Sequence, residues 1–259
     1  MPEGDVVWFT ARRLHETLAG RALTRSDFRV PRYATVNLAG QTVTEAVSRG
    51  KHLLVRTDRG VTVHTHLKME GAWRFTPSGG RPPAQGHRLR VLLANSAWVA
   101  AGYQLGITEV LPTAKEDQVV GHLGPDLLGP DWDQAQAVAR LARAPDRPVG
   151  EALLDQTNLA GAGTVYATEM MFLRGINPWR PVGQVDDLGA LVDLGHRLLD
   201  ANKTRIGHIT TGDTRPGREH WVYGRAGRPC LRCGTPIRRG EGGAPGQERV
   251  RFWCPNCQR

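Results

Sequence analysis

The sequence has no cysteine before residue 230, no apolar run approaching a membrane span, no internal repeat and no low-complexity tail. Each absence excludes something. Without about 18 to 20 consecutive apolar residues there is no transmembrane helix. The most apolar stretch near the start, 6–18, is broken by Arg12, Arg13 and His15, so no secretory signal is expected. Acidic residues are comparatively scarce, 25 against 34 basic ones, which leaves a net charge of +9. Such a field suits a polyanion, nucleic acid being the commonest for a soluble chain. The expectation is therefore a soluble, cytoplasmic, nucleoid-associated protein without a membrane partner. At 259 residues it has room for more than one compact unit.

From Asp5, the apolar residues Val7, Ala11, Leu14 and Leu18 recur at helical spacing, and Gly20 stands at the stop position. Seven short β-branched segments follow, 23–30, 41–48, 51–57, 60–66, 71–76, 89–94 and 97–101. Turn residues separate them, including the loop 77–83, and the pattern predicts an antiparallel sandwich or barrel. After Pro112 the texture becomes helical, with helices expected over 125–143, 149–156, 164–174 and 186–201. The fold class expected is α+β and multidomain. A β-sandwich with a leading helix would occupy 1–115, a helical domain 116–220 and a small metal module 221–259.

The most specific spacing is Cys230-x-x-Cys233, twenty residues, then Cys254-x-x-Cys257. Two such pairs present four thiolates tetrahedrally, and a closed four-thiolate site is structural zinc, one ion folding a module too small for its own core. Between the pairs lie Arg238, Arg239, Arg249 and Arg251, suited to phosphate contact or equally to a solvated surface. Gly161-Ala162-Gly163, with Thr164 opening the next helix, either brings backbone N–H groups to a phosphate or lets two helices pack closely. Lys51 is either an exposed edge lysine or one turned into a cleft. His64 and His66, at period two, read as structural. Met69, in an expected turn, is either a core side chain or an apolar tip able to wedge into a base stack.

The opening Met1-Pro2-Glu3-Gly4 is an ordinary beginning when taken alone. With the initiator removed, it places a secondary amine beside a carboxylate. An α-amino group titrates at about 7.7 to 8.0, so a useful fraction is nucleophilic near neutrality. Such an amine attacking a sugar carbon forms an iminium, with Glu3 placed to carry protons.

Taken together, Met1-Pro2-Glu3-Gly4, Arg49-Gly50-Lys51, Leu153-Leu154-Asp155-Gln156, Leu159 to Gly163 and Arg249 to Gln258 resemble the formamidopyrimidine-DNA glycosylase and endonuclease VIII family, from Pro2 to Gln258. The resemblance implies a β-sandwich, a helix-two-turn-helix domain and a C-terminal zinc-finger β-hairpin, with DNA between the halves. It implies a monomeric bifunctional enzyme of base excision repair acting on double-stranded DNA that carries oxidised bases or abasic sites. The base must first be flipped out, since its glycosidic bond is closed to attack in the stack. By the same resemblance Pro2 is the nucleophile at C1′ and Glu3 the general acid-base. Lys51 contacts the phosphate beside the lesion, and Arg249 binds phosphate and serves δ-elimination.

Three positions depart from the family pattern. Val6 replaces a usual glutamate, and Thr164 a usual asparagine. The stretch Ala101 to Gly106 lacks the arginine and phenylalanine of purine-preferring members. The last points to the endonuclease VIII branch and oxidised pyrimidines, with Met69 and Leu105 as candidates to fill the gap left by the flipped base. The alternatives are a zinc-stabilised paralogue that binds damaged DNA without cutting, and a purine-preferring glycosylase.

Overall fold

The computed structural model of the protein describes residues 2–80, 86–205, 207–246 and 248–259. Met1 and the end of the expected 77–83 loop lie outside the described residues. The chain forms two compact units, Met1–His122 and Leu123–Arg259.

In the first unit helix α1, Gly4–Leu18, buries Val7, Ala11, Leu14 and Leu18, the four residues at helical spacing. It is followed by Gly20 at φ 73°, whose N–H reaches the carbonyl of Val43. Eight strands follow, β1 Arg25–Phe28, β2 Val43–Arg49, β3 His52–Thr57, β4 Val61–His66, β5 Ala72–Pro77, β6 Leu89–Ala94, β7 Trp98–Tyr103 and β8 Ile107–Pro112. They form two four-stranded antiparallel sheets, ordered β1-β6-β7-β5 and β2-β3-β4-β8. Both sheets and α1 feed one apolar cluster that includes Leu14, Leu18, Phe28, Leu53, Val63, Trp73, Val91 and Leu93. Burying that shared surface is what holds the sheets together, at about 25 cal/mol per Å² removed from water.

Strand β8 was not expected. Its residues Ile107, Glu109, Val110 and Leu111 are only half-buried, so the strand lacks the apolar and polar alternation that betrays a sheet face. The polar partner of β4 is thus supplied by a strand invisible to periodicity, with Glu109 opposite His64.

The first unit also contains the one-turn helix α2, Asp117–Val120. The second unit carries α3 Gln134–Leu141, α4 Val149–Ala152, α5 Thr164–Leu173 and α6 Leu188–Asn202, then the hairpin β9 Arg238–Gly242 and β10 Arg249–Trp253. Two helices are shorter than expected. Residues 125–133 turn instead of coiling, because Gly129 and Pro130 interrupt them and the Asp126 carboxylate accepts the Leu128 N–H. Helix α4 ends at Ala152, since the Asp155 carboxylate captures both the N–H and the hydroxyl of Thr157. Asp133 and Asp187 cap α3 and α6 through the N–H groups of Gln136 and Ala190. Every residue of α5 from Thr164 to Phe172 is buried, so this helix is the axis of the unit. The segment 221–259 is not a unit apart: Val222, Ile237, Phe252, Cys230 and Cys254 pack with Phe172 of α5. Among the described residues no helix is long and apolar enough to cross a membrane.

Candidate active site and metal centre

Pro2 is half-buried immediately ahead of α1, and Glu3, in extended conformation at the N-cap position, has no exposed surface at all. The Glu3 side chain does not cap its own helix. A cavity of about 400 Å³ opens beside Pro2, walled by Val6, Phe9, Arg13, Trp73 and Phe75. The Arg13 guanidinium lies 5.7 Å from the Phe75 ring centre. Val6, where the family pattern has a carboxylate, makes that wall apolar.

Lys51 lies in the two-residue turn between β2 and β3, closed by the pair Arg49 and His52. Gly50 supplies the positive φ, 55°, that such hairpin turns require. Lys51 is half-buried, which excludes the reading as an ordinary exposed edge lysine. Beside it runs a chain of polar side chains over β3, β4 and β8. His52 Nδ1 is 2.8 Å from His64 Nε2, and His64 Nδ1 is 2.9 Å from Glu109 Oε2. A carboxylate only accepts, so His64 donates its Nδ1–H to Glu109. Burial, then the neighbouring His66, His64, His122 and Lys68, push His52 down to about 3. Burial, then Lys68 and Lys51, push His66 down to about 4. The rings next to Lys51 are therefore neutral near pH 7. His64 and His66 are structural as expected, yet the sequence did not reveal that His52 and Glu109 join them.

Met69 is 66% exposed at the tip of the turn between β4 and β5. The turn is shaped by Lys68 at φ 53° and by Gly71, where a Cβ would stand 2.4 Å from the Leu67 carbonyl oxygen. Gln104 donates to Glu70 at 2.7 Å and ties this turn to the one after β7. Leu105, expected beside Met69 as a gap-filling side chain, is corrected: it is 5% exposed and belongs to the core, against the space over Gly102. Gly102 makes room for the leucine, whose side chain a Cβ there would meet at 2.5 Å.

In the second unit the turn before α5 is clamped by Gln156, which donates to the carbonyls of Leu154 and Ala162 and accepts the Gly161 N–H. Gly161 sits at φ 101°, where any other residue would be strained. Gly163 is the N-cap of α5 and Thr164 its first residue, both buried. No motif in the sequence marks Glu169. Fully buried in α5, it accepts the N–H groups of Trp221, Val222 and Tyr223 at 2.8, 3.0 and 2.9 Å and the Thr210 hydroxyl. One carboxylate thus fixes the chain from 210 to 223.

The four Sγ atoms of Cys230, Cys233, Cys254 and Cys257 lie within 4.8 Å of one another. A tetrahedral zinc with bonds of about 2.3 Å wants sulfurs about 3.8 Å apart, so the donor set fits zinc. The knuckle around Cys254 is locked by Gln258, which accepts the Cys254 N–H and donates to the Ile176 carbonyl. Four thiolates leave no open coordination position, so the metal would supply rigidity and no reactive group. On the hairpin, Arg249 is exposed whereas Arg251 is 2% exposed, its burial lowering its pKa. Arg251, grouped in the sequence with the hairpin arginines suited to phosphate contact or to a solvated surface, is therefore buried where Arg249 is exposed.

The pattern of the formamidopyrimidine-DNA glycosylase N-terminal domain matches residues 1–102, and that of the H2TH domain of the same glycosylase matches 123–192. The whole chain is 53% identical to a probable endonuclease 8 2 of Streptomyces coelicolor, covering 94% of it. It is 51% identical to endonuclease 8 2 of Mycobacterium tuberculosis, over the full length of both. The chain belongs to the formamidopyrimidine-DNA glycosylase and endonuclease 8 family. A further family member, 50% identical over all of this chain and 99% of its own, is the DNA-(apurinic or apyrimidinic site) lyase Nei2 of Mycolicibacterium smegmatis. The fold of the family is matched at a TM-score of 0.82 and 22% identity, over the full length of both chains, by the Lactococcus lactis glycosylase crystallised non-covalently with abasic-site DNA.

Proposed function

We propose that the protein is a DNA glycosylase and abasic-site lyase of base excision repair, acting through a Schiff base on Pro2 after removal of Met1. The observation that carries this is the pairing, at one helix start, of a half-buried Pro2 with a fully buried Glu3 that does not cap the helix, in a chain whose relatives are named endonuclease 8 and abasic-site lyase. The Pro2 nitrogen attacks C1′ of the flipped nucleotide, and the base leaves with a proton from Glu3. The sugar ring opens to the iminium. That cation acidifies the C2′ proton, so the 3′ phosphate departs by β-elimination without a second nucleophile. Lys51, kept among neutral histidines, holds the phosphate beside the lesion. Arg249 binds phosphate and serves δ-elimination at the 5′ side. Thr164 and the N–H of Gly163 at the start of α5 steady the backbone further along.

Oxidised pyrimidines are the favoured bases. The turn after β7 lacks the arginine and phenylalanine of purine-preferring members, and the relatives of highest identity above carry the endonuclease 8 name. Met69 enters the vacated space in the stack.

The test is reductive trapping. Borohydride added with a duplex carrying one oxidised pyrimidine or abasic site should crosslink protein to DNA through Pro2, mapped by peptide mass spectrometry. Binding of the abasic duplex with neither crosslink nor strand scission would establish the non-cleaving paralogue instead.

A further inference from the structure

Between α4 and the β9-β10 hairpin lies a cavity of about 350 Å³, at the small end of ligand pockets, lined by Arg147, Glu151, Asp155, Arg249 and Arg251 together with residues 242–244. Arg251 is the unusual member. It is almost wholly buried, and among the described residues its guanidinium has no hydrogen-bond or ion-pair partner. A buried cation without a partner is costly, and evolution seldom leaves five fixed donors unused.

The surroundings are built to seat that guanidinium. A Cβ on Gly150 would stand 3.0 Å from Arg251 Nε, and one on Gly242 3.8 Å from it. Across the hairpin Arg249 faces Gly242 and Arg251 faces Gly240, so period two aligns both arginines on one face, each opposite a glycine. Trp179 covers those glycines and meets Trp253 edge-on, the ring centres 4.5 Å apart. Arg147 is aimed by an ion pair with Asp155 at 2.7 Å, whose carboxylate also holds Thr157. Glu151 acts on Arg251 by its charge but forms no ion pair with it or with Arg249 among the described residues. Three guanidinium groups thus converge with one carboxylate already engaged.

We propose that this cavity is a phosphate-binding site in which Arg251, with Arg147 and Arg249, receives a single tetrahedral phosphate group. Guanidinium forks match phosphate oxygens in pairs, which a carboxylate ligand would satisfy only in part. The phosphate is either a backbone diester or the terminal monoester left by strand cleavage. Its assignment to DNA rests on the function proposed above, whereas phosphate binding itself does not.

The experiment uses the full-length, zinc-loaded protein and follows the fluorescence of Trp179 and Trp253 during titration with inorganic phosphate, and with chloride at equal ionic strength. A saturable change with phosphate alone, weakened at least tenfold in both Arg251→Gln and Gly150→Ala, is expected. The second variant keeps every charge and crowds the guanidinium, its Cβ also meeting the Pro178 carbonyl oxygen at 2.9 Å, so it tests the seat without removing the arginine should the first misfold. A response shared by chloride, absent altogether, or unchanged in both variants overturns the proposal. Single-stranded oligonucleotides with and without a 5′-phosphate then compete for the site. Equal competition assigns it to the diester, competition by the phosphorylated strand alone to the monoester, and competition by neither removes DNA as its ligand. Trapping through Pro2, measured on the same preparations, separates a failure of this site from a failure of the proposed chemistry.

Discussion

His52 Nδ1 stands 2.8 Å from His64 Nε2, with His64 bonded in turn to Glu109, so one hydrogen-bonded chain crosses three strands beside Lys51. This arrangement makes the first unit sensitive to acid. His52 is held down to about 3 and His66 to about 4 by burial and their cationic neighbours, while the unfolded chain binds these protons at about 6.5. Both folded values are depressed, so the stability they contribute is complete above pH 6.5 and is lost as pH falls towards 4. The ceiling is about 1.4 kcal/mol per pH unit per histidine, reduced here because the rings are partly open to solvent. Urea melts between pH 7 and 4 should show this slope, and His52→Gln should flatten it. Parallel slopes for variant and wild type would remove His52 from the account.

Glu3→Gln keeps the size of a fully buried side chain and removes its capacity to transfer a proton. Excision of a damaged base should fall by about 10² to 10⁴. Trapping on a preformed abasic site, which needs no base departure, should fall much less. Single-turnover rates on the two substrates check this, and equal losses on both would mean that Glu3 does not protonate the base.

Met69→Ala removes a side chain that is 66% exposed, so thermal stability should change by less than about 0.5 kcal/mol. Excision from duplex should drop by about tenfold, while cleavage of an abasic site in single-stranded DNA, where there is no stack to fill, should be unaffected. A uniform loss on both substrates would contradict the role given to Met69.

What the sequence made legible follows from how local each signal is. The cysteine spacing names a donor set outright, and α1 declares itself because Val7, Ala11, Leu14 and Leu18 share one face. The Pro2 and Glu3 pair was readable as chemistry, although only the fold shows that Glu3 is sealed from solvent. Long-range polar pairings escaped: Glu109 and His64 are 45 residues apart on strands whose pairing no periodicity encodes. Leu105 was misplaced because its burial over Gly102 depends on how the chain turns after β7, which no periodicity marks. Arg251 Nε lies against Gly150, far away in sequence, whereas Arg249 on the same strand is exposed.

Zinc removal should reach beyond the hairpin. Cys230 and Cys254 share an apolar cluster with Phe252, Val222 and Phe172 of α5, and the Arg232 guanidinium lies 4.5 Å from the Phe172 ring centre. A chelator should therefore shift the emission of Trp221 and Trp253 to the red and lower the melting temperature of the second unit. The first unit, with its separate core, should melt as before. Hydrogen exchange resolved by peptide distinguishes the two, and protection lost equally in both units would show that the metal stabilises the entire chain.

Glu169 gathers three backbone N–H groups and a hydroxyl onto one buried carboxylate. The Glu169→Gln change turns one acceptor oxygen into a donor that faces other donors. Hydrogen bonds to a charged group contribute about 1.5 to 3 kcal/mol each, and an orphaned buried donor costs about as much again. The second unit should lose at least about 2 kcal/mol, and amide exchange at residues 221–223 should speed up most, because those N–H groups lose their acceptor directly. Glu169→Asp keeps the charge but withdraws it by one methylene, so it should destabilise without inverting the donor pattern and give the smaller effect on exchange at 221–223. If Gln and Asp prove equivalent there, the carboxylate fills space and does not organise the 210–223 segment.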